Sequence, residues 1–171
     1  MRADTPTING IIQNDILLKV PFFQRRYVWD EDNWERFAND MESTLESNRK
    51  YFLGAIILKE ESYDTYPDGI SSVRQIIDGQ QRLTTLAIYM KVLHMRVGKS
   101  SAFSFQYLRD NTSKDPIIDH GCEDRVAFTN IMHLDTATEI PNAKDNISKA
   151  YNYFLRKLNP QKIVLNDLLN Q

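Results

Sequence analysis

The chain is poor in most of the residues that special folding solutions demand. One cysteine, Cys122, excludes an intramolecular disulfide. Six glycines and six prolines in 171 residues exclude a collagenous or low-complexity chain, and a hydrophobic share of 42% excludes intrinsic disorder. The longest apolar stretch, Phe52 to Leu58, is far short of the ~20 residues of a membrane helix. The opening MRADTPTING lacks the basic-then-apolar pattern of a secretory signal, so the cytoplasm is the expected compartment. Lys and Arg number 21 against 23 Asp and Glu, a net charge of −2, so no global basic field exists and any polyanion site must be local.

What is present is patterned at the scale of one domain plus an appended piece. Ile8, Ile11 and Ile12 fall at helical spacing, and ILLKV reads as a strand stopped by Pro21. Asp30 or Asp32 can cap a helix running to about Ser47, with Trp34, Phe37, Ala38, Met41 and Leu45 on its apolar face. Its acids, from Asp30 to Glu46, are opposed only by Arg36 and read as a solvated face. YFLGAIILKEE reads as a strand with a nearly continuous apolar core, paired as a hairpin with SVRQIID across a Pro67-Asp68-Gly69 turn. After Gly79, residues Leu83, Leu86, Ala87, Met90, Leu93 and Val97 predict a helix up to Gly98.

Farther on, SAFSFQYL fits a strand or an irregular segment, and KDPIIDHG reads as turn-rich. Val126, Ala127, Ile131 and Met132 predict one helix, and Ile147, Ala150, Tyr151, Phe154, Leu155 and Leu158 another. IVLNDLLNQ begins a further amphipathic helix without a terminal signal, so the chain is expected to stop inside an element. The expected fold class is α+β: a small sheet with flanking helices over residues 1–98, then a mainly helical segment over residues 99–171.

Two segments can carry chemistry. The join Ile76-Ile77-Asp78-Gly79-Gln80-Gln81-Arg82 takes a strand into a helix start, where unpaired N–H groups and the helix dipole favour an anion. Arg82 is a cation where the dipole prefers acids, and a bound phosphate would account for it. The plainer reading has Asp78 capping the helix, Gln80 and Gln81 solvated, and Arg82 paired with Asp78. The run contains no Walker loop. The segment Val20-Pro21-Phe22-Phe23-Gln24-Arg25-Arg26-Tyr27-Val28-Trp29 could clamp a phosphate while offering aromatic faces to a base. Aromatics at such a join usually fill core, which is the preferred reading for Phe22 and Trp29; it is weaker for Gln24 and Arg25. His94, His120 and His133 lie in unrelated surroundings and offer no nuclease centre. His120, Cys122 and His133 lack a fourth ligand for structural zinc, and no metal site is expected.

Together with Tyr51-Phe52-Leu53-Gly54, these segments resemble the N-terminal domain of GmrSD-type modification-dependent restriction systems. The likeness runs from about Ile8 to Leu93, is most specific in DGQQRLTTL, and has a weaker echo around Asn146-Ile147 and Ala150 to Phe154. The resemblance implies a ParB/sulfiredoxin-like fold that binds nucleoside triphosphate, its base unspecified, with Mg²⁺ a candidate companion. It places Asp78, Gly79, Gln80, Gln81 and Arg82 at the nucleotide, with Gln24 and Arg25 as the opposite wall; on an enzyme reading Asp78 and Arg82 are the expected catalytic pair. It implies triphosphate hydrolysis coupled to cleavage of modified phage DNA; the alternative is a non-catalytic sensor of nucleotide or DNA. An HNH-type nuclease domain is expected in cis or in trans, so DNA cleavage is not expected of these 171 residues, and DNA binding is expected only in the full-length protein.

Overall fold

The computed structural model describes residues 7–12, 15–47, 51–66, 69–96, 98 and 115–158. Its centre is a mixed four-stranded sheet in an α+β arrangement, with strands β1 (Ile16–Lys19), β2 (Ile57–Glu61), β3 (Ser72–Asp78) and β4 (Ile118–Asp119). The order is β2-β3-β1-β4. β1 is parallel to both neighbours, and β2 closes one edge as the antiparallel partner of β3, in the expected hairpin. The helices are α1 (Ile8–Ile11), α2 (Glu31–Ser47), α3 (Gln80–Arg96), α4 (Cys122–Met132) and α5 (Asn146–Lys157).

Local chemistry sets the helix starts. Asp30 and Asn33 each accept a hydrogen bond from the other's backbone N–H, a reciprocal cap on α2. Asp145 accepts from the backbone N–H and the hydroxyl of Ser148 at the head of α5. On α2, Trp34, Phe37, Ala38 and Met41 are buried, while Glu31, Asp32, Glu35 and Asp40 face solvent. α3 is different: from Gln80 to His94 only Arg82 escapes burial, because the sheet and the other helices surround it. Lys91 within it survives burial by donating to the carbonyl of Met132, the last residue of α4, at 2.8 Å. That carbonyl lies at the negative end of the α4 dipole, while burial lowers the lysine's pKa to about 8.

Three expectations are corrected. The strand expected over YFLGAIILKEE is confined to Ile57–Glu61, whose residues are exposed or half-buried. Gly54, at φ +92°, interrupts the extended run ahead of it, so Leu53 and Ile56 pack on the core from outside the ladder while Phe52 lies in solvent. The turn-rich KDPIIDHG contains β4, because the buried pair Ile117 and Ile118 adds an edge to β1; two residues are too few to show a period. Val126, assigned to an apolar face, is exposed. SAFSFQYL, Val97, Pro67, Asp68, IVLNDLLNQ and the Leu45 side chain fall outside the described residues.

Candidate functional site

Because β1, β3 and β4 run parallel, their carboxyl ends open on one edge of the sheet, where parallel sheets place their ligands. There the loop after β1 and the starts of α3 and α4 enclose a cleft of about 700 Å³. Gln75, Lys19 and Asp119 lie side by side in register across the three strands and form its floor. Lys19 donates to the Tyr63 hydroxyl at 3.1 Å, which holds its pKa above the usual lysine value. Tyr63 and Gln75 in turn both donate to Glu61. Asp119 pairs with Arg125 at 2.8 Å. Sequence reasoning missed this row; the available signal was that Lys19 and Asp119 each close a short apolar run ahead of a turn.

Of the residues singled out in the sequence, Gln24, Arg25 and Gln80 line this cleft together. Gln24 is fixed by donating to the carbonyl of Ile77 at 3.1 Å. Gln80 is buried among these walls. Gln81 turns elsewhere and clamps the backbone of the arginine-aromatic loop. Its Oε1 accepts from Val28 N–H at 2.9 Å and Trp29 N–H at 3.4 Å, and its amide nitrogen donates to the carbonyl of Arg26 at 3.2 Å. Both glutamines are buried, so the solvated reading of them is corrected. Asp78 and Arg82 do not line the cleft. Arg82 pairs with Asp78 at 3.2 Å and donates to the carbonyl of Leu53 at 3.3 Å. Its guanidinium occupies the space that a Cβ at Gly54 would need. Gly79 adopts φ +100° with Ile56 close against it, a position few other residues could take. The split has a simple cause: successive helical residues point about 100° apart, so Gln80, Gln81 and Arg82 cannot share one wall.

Four cations and three carboxylates meet in the cleft, and most are committed. Arg26 stands 3.8 Å from Glu123, both exposed, a pair of little energetic weight. Arg125 holds Asp119 and donates to the carbonyl of His120. Asp124 accepts from Tyr27 N–H at 2.6 Å, and burial raises its carboxyl pKa. Arg25 has no partner among the described residues. The loop carrying it is anchored by the buried Tyr27 hydroxyl, which sits between Thr85 Oγ1 at 2.6 Å and the indole N–H of Trp34 at 2.8 Å.

His120, unremarkable in the sequence, closes the cleft beside Gln80. It is 1% exposed, its Nε2 is 3.3 Å from Thr84 Oγ1, its ring lies against Phe128, and its Nδ1 has no partner among the described residues. Burial, helped by the Arg125 charge, lowers its pKa to about 3. Below about pH 6.5 the unfolded chain therefore takes up a proton that the folded domain refuses. The stability this neutral imidazole permits is present above pH 6.5 and is lost as pH falls toward 3, by at most ~1.4 kcal/mol per pH unit. Urea unfolding between pH 7 and 4 is expected to show a flatter pH dependence for His120→Gln than for wild type.

Among the described residues no helix is long and apolar enough to cross a membrane, and no cluster of three His, Cys, Asp or Glu could hold a metal. Fold and site together define a small mixed α+β domain with a polar cleft at its parallel strand ends, walled by an aromatic-arginine loop. The family model for the N-terminal domain of GmrSD restriction endonucleases matches residues 8–170, and the chain belongs to that family. It is thus part of a DNA-acting restriction protein, and the match covers the segments before and after residue 98 alike. No curated protein matches the chain.

Proposed function

We propose that the domain binds a nucleoside triphosphate in the cleft at the head of α3 and gives a cytoplasmic, modification-dependent phage-restriction system a nucleotide-controlled step. The observation that carries this reading is the convergence of Gln24, Arg25 and Gln80 on one cleft, with Arg25 uncommitted and the helix start beside it. The N–H groups ahead of Leu83, whose own N–H reaches Gly79, have no acceptor within the helix and suit phosphate oxygens. Arg25 supplies the mobile positive charge, and Gln80 an amide for the same anion.

Arg25→Ala is expected to weaken triphosphate binding by roughly 10- to 100-fold, the value of one charge-assisted contact, without altering the melting temperature. Arg82→Ala acts through Asp78 and Leu53, so it is expected to lower stability as well as affinity. Calorimetry with both variants checks the assignment; unchanged affinity in Arg25→Ala would remove that residue from the site.

The second reading, hydrolysis, rests on the Asp78–Arg82 pair at the helix head. Both side chains lie outside the cleft lining, so in this reading Arg82 must leave Asp78 and swing to a phosphate that projects past the α3 head, and the freed carboxylate then orients the attacking water. Phosphate release by wild type and Asp78→Ala, measured beside binding, separates turnover from sensing. The cleft carboxylates Asp119 and Asp124 are already engaged, so they do not make a protein cage for Mg²⁺; such an ion would ride on the nucleotide's own phosphates. DNA cleavage is assigned to an HNH-type nuclease domain acting in cis or in trans.

A further inference from the structure

Phe22 is 95% exposed and Phe23 65% exposed, against the preferred reading that Phe22 fills core. The two rings stand edge-to-face, 5.5 Å apart at 81°, on the wall of the cleft next to Arg25. Rings this exposed contribute little to folding, since the area they leave in water is the area whose burial stabilises a core. Nor are they carried on a loose segment. Gln24 N–H closes a turn onto the carbonyl of Pro21 at 3.0 Å, its side chain holds Ile77, and from Arg26 onward the backbone is clamped by Gln81 and Asp124. A pinned turn therefore presents two aromatic faces at the rim of a charged cleft.

The floor beneath them decides what they can receive. Lys19, Gln75 and Asp119 are polar or charged, so an apolar peptide laid across the rings would strip water from two charges and an amide and give them no polar contact in return, at a cost. A flat heteroaromatic base joined to a polar, anionic tail has no such conflict. Its ring stacks on phenyl while its tail reaches Arg25 and the α3 head. We propose that Phe22 and Phe23 form the nucleobase platform of the cleft, one ring stacking on the base of the bound mononucleotide and the other, at 81° to it, meeting the base edge, with no base-specific hydrogen bond. This rests on the nucleotide-binding reading above and adds to it a placement and a selectivity. Stacking tolerates every base and strengthens with ring area, so purine triphosphates bind more tightly than pyrimidine ones without being distinguished from each other.

The experiment titrates the 171-residue chain with ATP, GTP, CTP and inorganic tripolyphosphate by calorimetry, for wild type, Phe22→Ala, Phe23→Ala and Phe22→Trp. Both rings lie in solvent, so the variants are expected to melt with wild type. The expected result is a loss of about tenfold in ATP and GTP affinity in the alanine variants, a smaller loss for CTP, no change for tripolyphosphate, and recovery in Phe22→Trp. Equal loss for ATP and tripolyphosphate, or no loss for either, overturns the platform while leaving nucleotide binding intact. Wild type that binds neither ATP nor tripolyphosphate overturns the nucleotide reading and the platform together. Alanine variants that lose affinity for a single-stranded oligonucleotide but not for ATP also overturn the proposal, because the rings then serve a strand.

Discussion

Gln81→Leu is expected to destabilise the domain by about 2–4 kcal/mol and to lower its melting temperature by roughly 5–15 °C. Leucine fills nearly the same volume, so the loss isolates hydrogen bonding from packing. It strands the carbonyl of Arg26 and the N–H groups of Val28 and Trp29, which no strand or helix of the described structure satisfies in place of Gln81. A backbone group left unpaired in a part-buried setting costs about 1–3 kcal/mol. Gln81→Glu keeps the acceptor for Val28 and loses the donor to Arg26, so it falls between wild type and Gln81→Leu. Thermal unfolding measures the ordering, and amide exchange at Val28 and Trp29 reports it locally. Retained protection at both amides in Gln81→Leu would show that the loop is held by something other than this clamp.

Phe154→Ala is expected to cost about 3–5 kcal/mol, the range for deleting a fully buried aromatic ring. Phe154 has no exposure and meets Tyr89 of α3 at 5.4 Å and Phe37 of α2 at 6.2 Å between ring centroids, in edge-to-face geometry. Phe37 and Tyr89 are themselves edge-to-face at 5.5 Å, so one ring from each of three helices closes a triangle. The cavity left by alanine is walled by rigid rings and can collapse little. Urea unfolding should show the loss in the midpoint with an unchanged slope. A cost below 1 kcal/mol would mean that α5 is dispensable to the core formed by α2 and α3.

The parts of this fold that were legible in the sequence are those with a long period and a chemical stop. α2 and α3 show recurring apolar positions bounded by Asp30 and Gly79, and α5 shows the same pattern from Ile147 to Leu155. β4 was not legible because two residues carry no period. The burial of α3 on all sides was hidden as well: Gln80 and Gln81 read as solvated, yet they are buried, together with the polar Thr84, Thr85, Lys91 and His94. At the candidate site, the sequence pointed to segments and could not say where each side chain turns. Asp78 to Arg82 reads as one motif, yet its members serve a cleft, a backbone clamp and an ion pair. Phe22 was misassigned because an aromatic after a strand usually packs inward; nothing local reveals that this turn lifts it into water. Lys19, Asp119 and His120 become neighbours of that motif only through the parallel pairing of β1 with β3 and β4.

That pairing also orders events in time. β1 leaves the ribosome ahead of both its partners, which are far downstream: Ile16 waits for Ser72, and Leu18 for Ile118. The hairpin of β2 with β3 can close early, because its strands are near neighbours in the chain. The central strand must remain open on one edge until Ile118 and Asp119 have been made, and the cleft needs both Lys19 and Asp119 in place. During synthesis the domain therefore passes through a long interval with the hairpin formed and the cleft absent. A nascent chain lacking the segment from Ile118 onward has no site for a ligand to stabilise, so any ligand acts as a folding aid only after that segment has joined the sheet.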